Sequence, residues 1–516
     1  MANRRRLSDS QTSFAGGINT VSDDLFLSPS QFREGINARL TEYGAVTKRN
    51  GTKRLSKSNQ ANNPPSAIRG GFTWFKDDGT AQSLVVSDGK LWTANPASVA
   101  INGWTAYTVS GNISTTIYNA FAKFYDGSAD VVFFADGGKL LKWDGTAVTR
   151  EADAGAPNLL AVRVHNQRIW GVGDSTLPDS LFYSTLNDGT TLGHGTGGQI
   201  IVRTFGDERL VALASVNSSL LIFHRRGLSR LTGFGQDDIS VDPEGISSQT
   251  GTLARRSIVE IDGAVMFVSD RGTFIATESS VGPVSTGDQP DPLLPLLRNM
   301  TETQLDLVSG VLSRDRQEVW FFLPGNGVYV YNLILKAWTG PWNGAYLGAN
   351  TMWQSPLGTD ATLGVMMGTT TGSTTANEVH YADSKQYFRD GGNDVPVNIE
   401  MKVRLRRLFF GNDAVAKSFR FGYVSLTLPT GDEMYIQWRS NLGTYASHTI
   451  TTLSGSRWGV GSWGTGAWGI VVSSQNERIE MDGYGYYLDV TFTHDEAGGL
   501  PIISRWQVDG FALGRR

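Results

Sequence analysis

The chain of 516 residues contains no cysteine, which excludes disulfides and thiolate metal sites. No stretch approaches the ~18 uninterrupted apolar residues of a spanning helix, so no membrane span is expected. The start, MANRRRLSDSQ, is basic with no apolar run behind it, and predicts no secretory signal. Histidine is scarce. His165, His194, His224, His380, His448 and His494 stand apart, none at ligand spacing from another, so neither a metal site nor a cofactor is expected. Charged residues make up 18% and the formal net charge is −4, which argues against a surface dedicated to binding nucleic acid. A protein past which DNA merely slides remains compatible, because that task needs only weak attraction. Also missing are G-x-x-x-x-G-K-[ST], G-x-S-x-G and H-E-x-x-H. Gly193 to Gly198 satisfies G-x-G-x-x-G formally, but it follows the turn-rich TLNDGTTL without a βαβ context and is no dinucleotide site.

What the chain has in abundance is glycine, 61 residues, together with 14 Trp, 24 Phe and 16 Tyr. That mixture suits short strands joined by tight turns. Seven segments read as a β-prone run, a turn and a second run: Leu84 to Trp92, Val131 to Trp143, Ala161 to Val172, Leu220 to Phe234, Val265 to Thr277, Glu318 to Asn332 and Val365 to Asp383. Four-stranded blades need roughly 40–50 residues each, so residues 70–394 are predicted to form a degenerate β-propeller of about seven blades. Stacked sandwiches are the structural rival, since hairpins alone do not separate the two. Residues 287–310 interrupt the pattern, and a single short inserted helix is expected near Leu293 to Met300, covering one end of the ring or projecting towards a neighbour.

From 395 to 516 the texture changes to a predicted C-terminal β-sandwich, making the whole all-β. Tyr486, Leu488, Val490 and Phe492 share one face of a predicted strand and Asp489 and Thr491 the other, a half-buried pattern. Lys402, Arg404 and Arg406 alternate on one face, either solvated or turned to an acidic partner. In SRWGVGSWGTGAWG, Trp458, Trp463 and Trp468 recur every five residues among glycines. They either fold onto the sandwich or form an exposed loop that binds a sugar or a protein neighbour. TLNDGTTL, Thr185 to Leu192, is similar to the Asp-box turn of sialidase-type propellers with Leu192 in place of the closing aromatic. That box is a structural turn, and the paired carboxylates a glycosidase requires are not visible in sequence.

Residues 1–69 read as an N-terminal arm. Ser28-Pro29-Ser30-Gln31 has the form of an N-cap, a first-turn proline and a capping-box glutamine, predicting a short helix to about Asn37. Asn50-Gly51 between Ala45–Arg49 and Thr52–Leu55 predicts a hairpin crowded by Lys48, Arg49, Lys53 and Arg54. These basic residues are candidates for docking to an acidic partner, against the alternative of a charged edge that repels other strands.

The order Gly16-Gly17-Ile18, Asp23-Asp24, Ser28-Pro29, Glu34-Gly35-Ile36-Asn37 and Arg49-Asn50-Gly51-Thr52 resembles the N-terminus of the tail nozzle, or tail tubular, proteins of short-tailed bacteriophages. The specific part covers about 45 residues, with Asn50 where proline is frequent in that family. The resemblance implies a structural virion protein made in the host cytoplasm and built into the tail. It implies a homo-hexameric ring below portal and adaptor, contacts with adaptor and fibre proteins, and a conduit for DNA ejection with no catalytic residue. A carbohydrate-binding or glycan-degrading tail propeller is the alternative function, and a trimeric fibre or spike component a third.

Overall fold

A computed structural model describes residues 6–513, apart from positions 58, 97–102, 206–208, 235–237, 286–288, 345–346, 357–362, 370–376, 385–387, 392–395, 412, 444, 453–471 and 498. Turn chemistry sets the strand pairs. At Asp88-Gly89 φ is 53° and 69°, and at Asn166-Gln167 it is 49° and 58°. Two-residue hairpins need this left-handed backbone to match the twist of their strands.

Strands Gly70–Phe75, Ala81–Ser87, Lys90–Ala94 and Thr105–Tyr107 form the first four-stranded antiparallel blade. Blades of the same design begin at Ala120, Ala161, Leu210, Val259 and Ser309. The seventh contains Ala349–Pro356, Leu363–Thr369 and Val379–Ser384, and its fourth strand is Gly51–Arg54 from the N-terminal segment. The first strand of each blade is innermost and packs on the next, and Ala349–Pro356 packs on Gly70–Phe75, which closes the ring. Each of the seven hairpins read from the sequence falls in a different blade. The chain is therefore a seven-bladed β-propeller joined to a C-terminal sandwich.

Apolar residues fill the wedges between blades. Trp74, Phe134 and Trp143 fill that between the first and second, and Trp320, Trp342 and Met367 that between the sixth and seventh. The wedge between the fifth and sixth merges with the sandwich core. Leu293, Leu297 and Leu305 enter it from the helical insert. That insert is two helices, α1 (Leu294–Leu297) and α2 (Glu302–Asp306), where one was expected. The extra start comes from Thr301, whose side chain accepts from Gln304 N while the Gln304 side chain accepts from Thr301 N, a capping box.

One sandwich sheet has the order Val472–Gly485, Lys417–Pro429, Ile502–Ala512, Val46–Lys48, Ala38–Leu40, with Arg6–Gln11 also paired to Ile502–Ala512. The other contains Met401–Leu405, Leu488–His494, Glu433–Ser440 and Tyr445–Thr451, and runs on through Gln31–Ile36 into the sixth blade as one ten-stranded sheet. The two layers meet across rings such as Phe492 and Trp506, 5.4 Å apart and edge to face.

Two sequence expectations are corrected here. No helix forms between Ser28 and Asn37. The local capping-box contact exists, since Ser28 N donates to Gln31 Oε1 at 3.0 Å, but the chain then extends as Gln31–Ile36 because Met401–Leu405 and the sixth blade both pair with it. Nor do Val46–Lys48 and Gly51–Arg54 pair with each other. The first joins the sandwich and the second the seventh blade. Asn50-Gly51 is a crossing point between bodies, and a Cβ on Gly51 would sit 1.8 Å from the Arg389 carbonyl oxygen.

Candidate functional site

The basic residues expected to dock a partner lie at the junction of propeller and sandwich. Lys48 and Arg49 are buried. Arg49 grips Asp390 with two bonds, Nη1 to Oδ1 at 2.8 Å and Nη2 to Oδ2 at 2.6 Å. It also donates to Asn37 Oδ1 at 2.9 Å, Asn50 O at 3.0 Å and Asn343 O at 3.0 Å. Asn37 donates in turn to Glu400 O at 2.9 Å. One side chain thus ties the exits of blades six and seven to the entry of the sandwich. Lys48 Nζ contacts His494 Nδ1 at 3.2 Å and donates to Glu496 O at 2.6 Å, while His494 Nε2 lies 3.0 Å from Asp432 Oδ2. Burial pushes Lys48 down to about 8. Burial, and then the Lys48 charge, push His494 down to about 3.

Arg54 pairs with Glu378 of the seventh blade, and Lys53 is half-buried beside it, opposite Tyr381. Lys48, Arg49 and Arg54 are therefore not open docking charges, and their partners lie far along the chain, 341 residues away for Asp390. Arg39 adds a further buried pair that the sequence did not flag, with Nε and Nη2 on Glu318 at 3.0 and 2.9 Å and its guanidinium 4.8 Å from the Trp342 ring. The row Lys402, Arg404 and Arg406 does meet acidic groups, but those of its own chain: Glu34 at 3.0 Å, Asp489 at 3.2 Å and Asp9 at 2.6 Å. Trp458, Trp463 and Trp468 lie outside the described residues.

A different grouping occupies the propeller axis. The starts of the inner strands of six blades surround a cavity of about 300 Å³ lined by Tyr118, Arg163, Arg255, Arg256, Glu260 and Trp353, among others. Arg256 lies 3.7 Å over the Tyr118 ring and Arg69 lies 4.9 Å from the same ring. Arg255 donates to Asp306 Oδ1 of α2 at 3.0 Å and to Leu160 O at 2.9 Å. Arg256 donates to the Asp306 carbonyl, at 3.1 Å from Nε and 2.7 Å from Nη2. Arg163 pairs with Glu260 across the ring, and Glu260 also accepts from Ser215 N at 3.1 Å. Burial is the main cause that pushes Arg256 down to about 10, and repulsion from Arg255 and Arg69 adds to it. No single stretch of sequence predicts this cluster, because its members come from separate blades.

No family model and no curated protein matches the chain. Among solved structures it is similar to U3-55K (9% identity over 61% of this chain and 95% of that one, TM-score 0.38). It is also similar to the WD40 repeats of RRP9 (10% identity, 65% and 99%, TM-score 0.39). A third is PorZ, a surface component of the type-IX secretion system of Porphyromonas gingivalis (12% identity, 94% and 60%, TM-score 0.37). Among the described residues no group of three or more His, Asp or Glu is placed to hold a metal ion. No described helix is long and apolar enough to cross a membrane.

Proposed function

We propose that this chain is a structural protein of a short bacteriophage tail, one subunit of a ring-shaped nozzle below portal and adaptor through which DNA leaves. In this reading it is not an enzyme. The observation that carries it is the N-terminal segment. Several of the residues that resemble the nozzle family, Gly17, Asn37, Arg49 and Gly51, lie where the chain passes between propeller and sandwich. Gly17, at φ +68°, passes 2.4 Å from the Trp338 carbonyl oxygen as measured from a would-be Cβ. Asn37 and Arg49 hold the junction, and Gly51 crosses it. Those four positions are constrained by the geometry of the junction, and the reading rests on their order in the sequence. A wheel welded to a sandwich through one continuous sheet is a stiff body suited to bearing load between neighbours. The mild negative charge suits a wall past which phosphates slide, since each phosphate contact adds salt-dependent affinity.

Copies would associate by heterologous contacts that close only at one rotation. Mass measurement in solution with class averages viewed down the particle axis tests the reading, and six-fold rings are the expected result. Trimers would indicate a fibre or spike component. Release of reducing ends from host surface polysaccharide by the purified protein would indicate the glycan-degrading alternative.

A further inference from the structure

On the outer face of the sandwich two tyrosines lean towards each other. Strands Glu433–Ser440 and Tyr445–Thr451 form an antiparallel hairpin with Gln437 opposite Ser447 and Arg439 opposite Tyr445. Met434, Ile436 and Trp438 enter the core, so Tyr435 and Gln437 face outward with Tyr445 and Ser447. Gln437 Nε2 donates to the Tyr445 hydroxyl at 2.7 Å. From the other end, hydrogen bonding to Ser447 and then to Gln437 lowers the Tyr435 hydroxyl from its ordinary value. A ring whose hydroxyl reaches a side chain two positions along the hairpin lies down along the sheet. Tyr435 is still 38% exposed and Tyr445 64%. The result is a level surface of two pinned rings with an amide and a hydroxyl between them.

The hairpin carries one carboxylate, Glu433, and one guanidinium, Arg439, while Thr491 and Thr493 on the adjoining strand add hydroxyls. A nucleic-acid strand would need a positively charged groove. An apolar partner would cover the amide and hydroxyls without answering their remaining hydrogen-bonding capacity. A sugar meets both demands. Its C–H face packs on the electron-rich face of an aromatic ring, and its hydroxyls exchange hydrogen bonds with amides and hydroxyls. Rings already held in place lose little freedom on binding.

We propose that this face of the sandwich binds a neutral glycan chain, with Tyr435 and Tyr445 as stacking platforms and Gln437 as the polar group that orients the sugar between them. This inference stands apart from the tail reading and does not require it.

Cellohexaose, maltohexaose and chitohexaose are the probes, with a heparin hexasaccharide and an oligothymidylate as anionic comparisons. Calorimetric titration of the full chain should show saturable binding of at least one neutral sugar. Tyr445→Ala should weaken it by about tenfold, the scale of one stacked ring. Tyr445→Phe, which keeps the ring but frees it from Gln437, should weaken it less. Tyr125→Ala, at an exposed tyrosine of the second blade, should leave it unchanged. Absence of saturable binding by all of the neutral sugars at millimolar concentration overturns the proposal. So does equal weakening by Tyr125→Ala, or tighter binding of either anion that Tyr445→Ala abolishes. A change of subunit number in sedimentation on Tyr445→Ala, with sugar binding intact, would make the face a contact between copies and also overturn it.

Discussion

Arg49 and Asp390 are 1% exposed each, and they hold one another far from water. Removing one partner leaves the other as an uncompensated buried charge. Arg49→Met should therefore cost about 3–5 kcal/mol in urea denaturation, and the double change with Asp390→Leu should restore most of it. His494 gives a second expectation. An unfolded histidine takes up its proton near 6.5, whereas the folded one resists until about 3. Between those values the unfolded chain binds the extra proton, so stability is full above pH 6.5 and drains as pH falls towards 3. His494→Gln should flatten that part of a melting-temperature profile. Lys48 acts at the other end. Its charge opposes folding fully below about pH 8, and the penalty fades as pH rises towards 10.5. At this scale the sequence was least legible. It shows that Lys48 and Arg49 are basic, but their burial depends on Asp432, His494 and Asp390, which only the folded chain brings near.

The seven hairpins were legible because each is a local event: a β-branched or aromatic run, a turn that tolerates positive φ, and a second run. The opening segment was not, for the opposite reason. Asn50-Gly51 has the form of a hairpin turn and Ser28-Pro29 that of a helix start, yet distant strands claim each flank and override local preference. Loss of residues 1–20 should leave the propeller folded, because of how they pair. Arg6–Gln11 and Gly17–Ile18 pair with sandwich strands and with Gln31–Ile36, while Gly51–Arg54 stays in place. Removing residues 1–55 should instead strip the seventh blade of its outer strand. Limited proteolysis should then cut within 349–384 in the longer deletion and spare it in the shorter one. Equal resistance of both proteins would count against closure by Gly51–Arg54.

For the molecule as a whole, a ring of blades was foreseeable from the hairpin count, but its union with the sandwich was not. Nine strands run without a break from Ser309–Ser313 through Gln31–Ile36 to Tyr445–Thr451, so the two bodies should move as one. Denaturation followed by near-ultraviolet dichroism, which reports Trp170 in the blades and Trp506 in the sandwich, should show a single transition. Two separated transitions would mean that the shared sheet does not couple them. The axial arginines lay beyond sequence reasoning because a propeller gathers at its centre residues that are neighbours in no segment.

The strand that completes the wheel is made early and must wait. Gly51–Arg54 leaves the ribosome long before its partner Val379–Ser384 exists. At ordinary rates of synthesis, about 5–20 residues per second, the nascent chain spends roughly 15–65 s with an unmatched edge. During that interval the half-made protein is exposed to pairing with the wrong chain, so a helper that shelters this stretch during translation would raise the yield of correctly closed subunits.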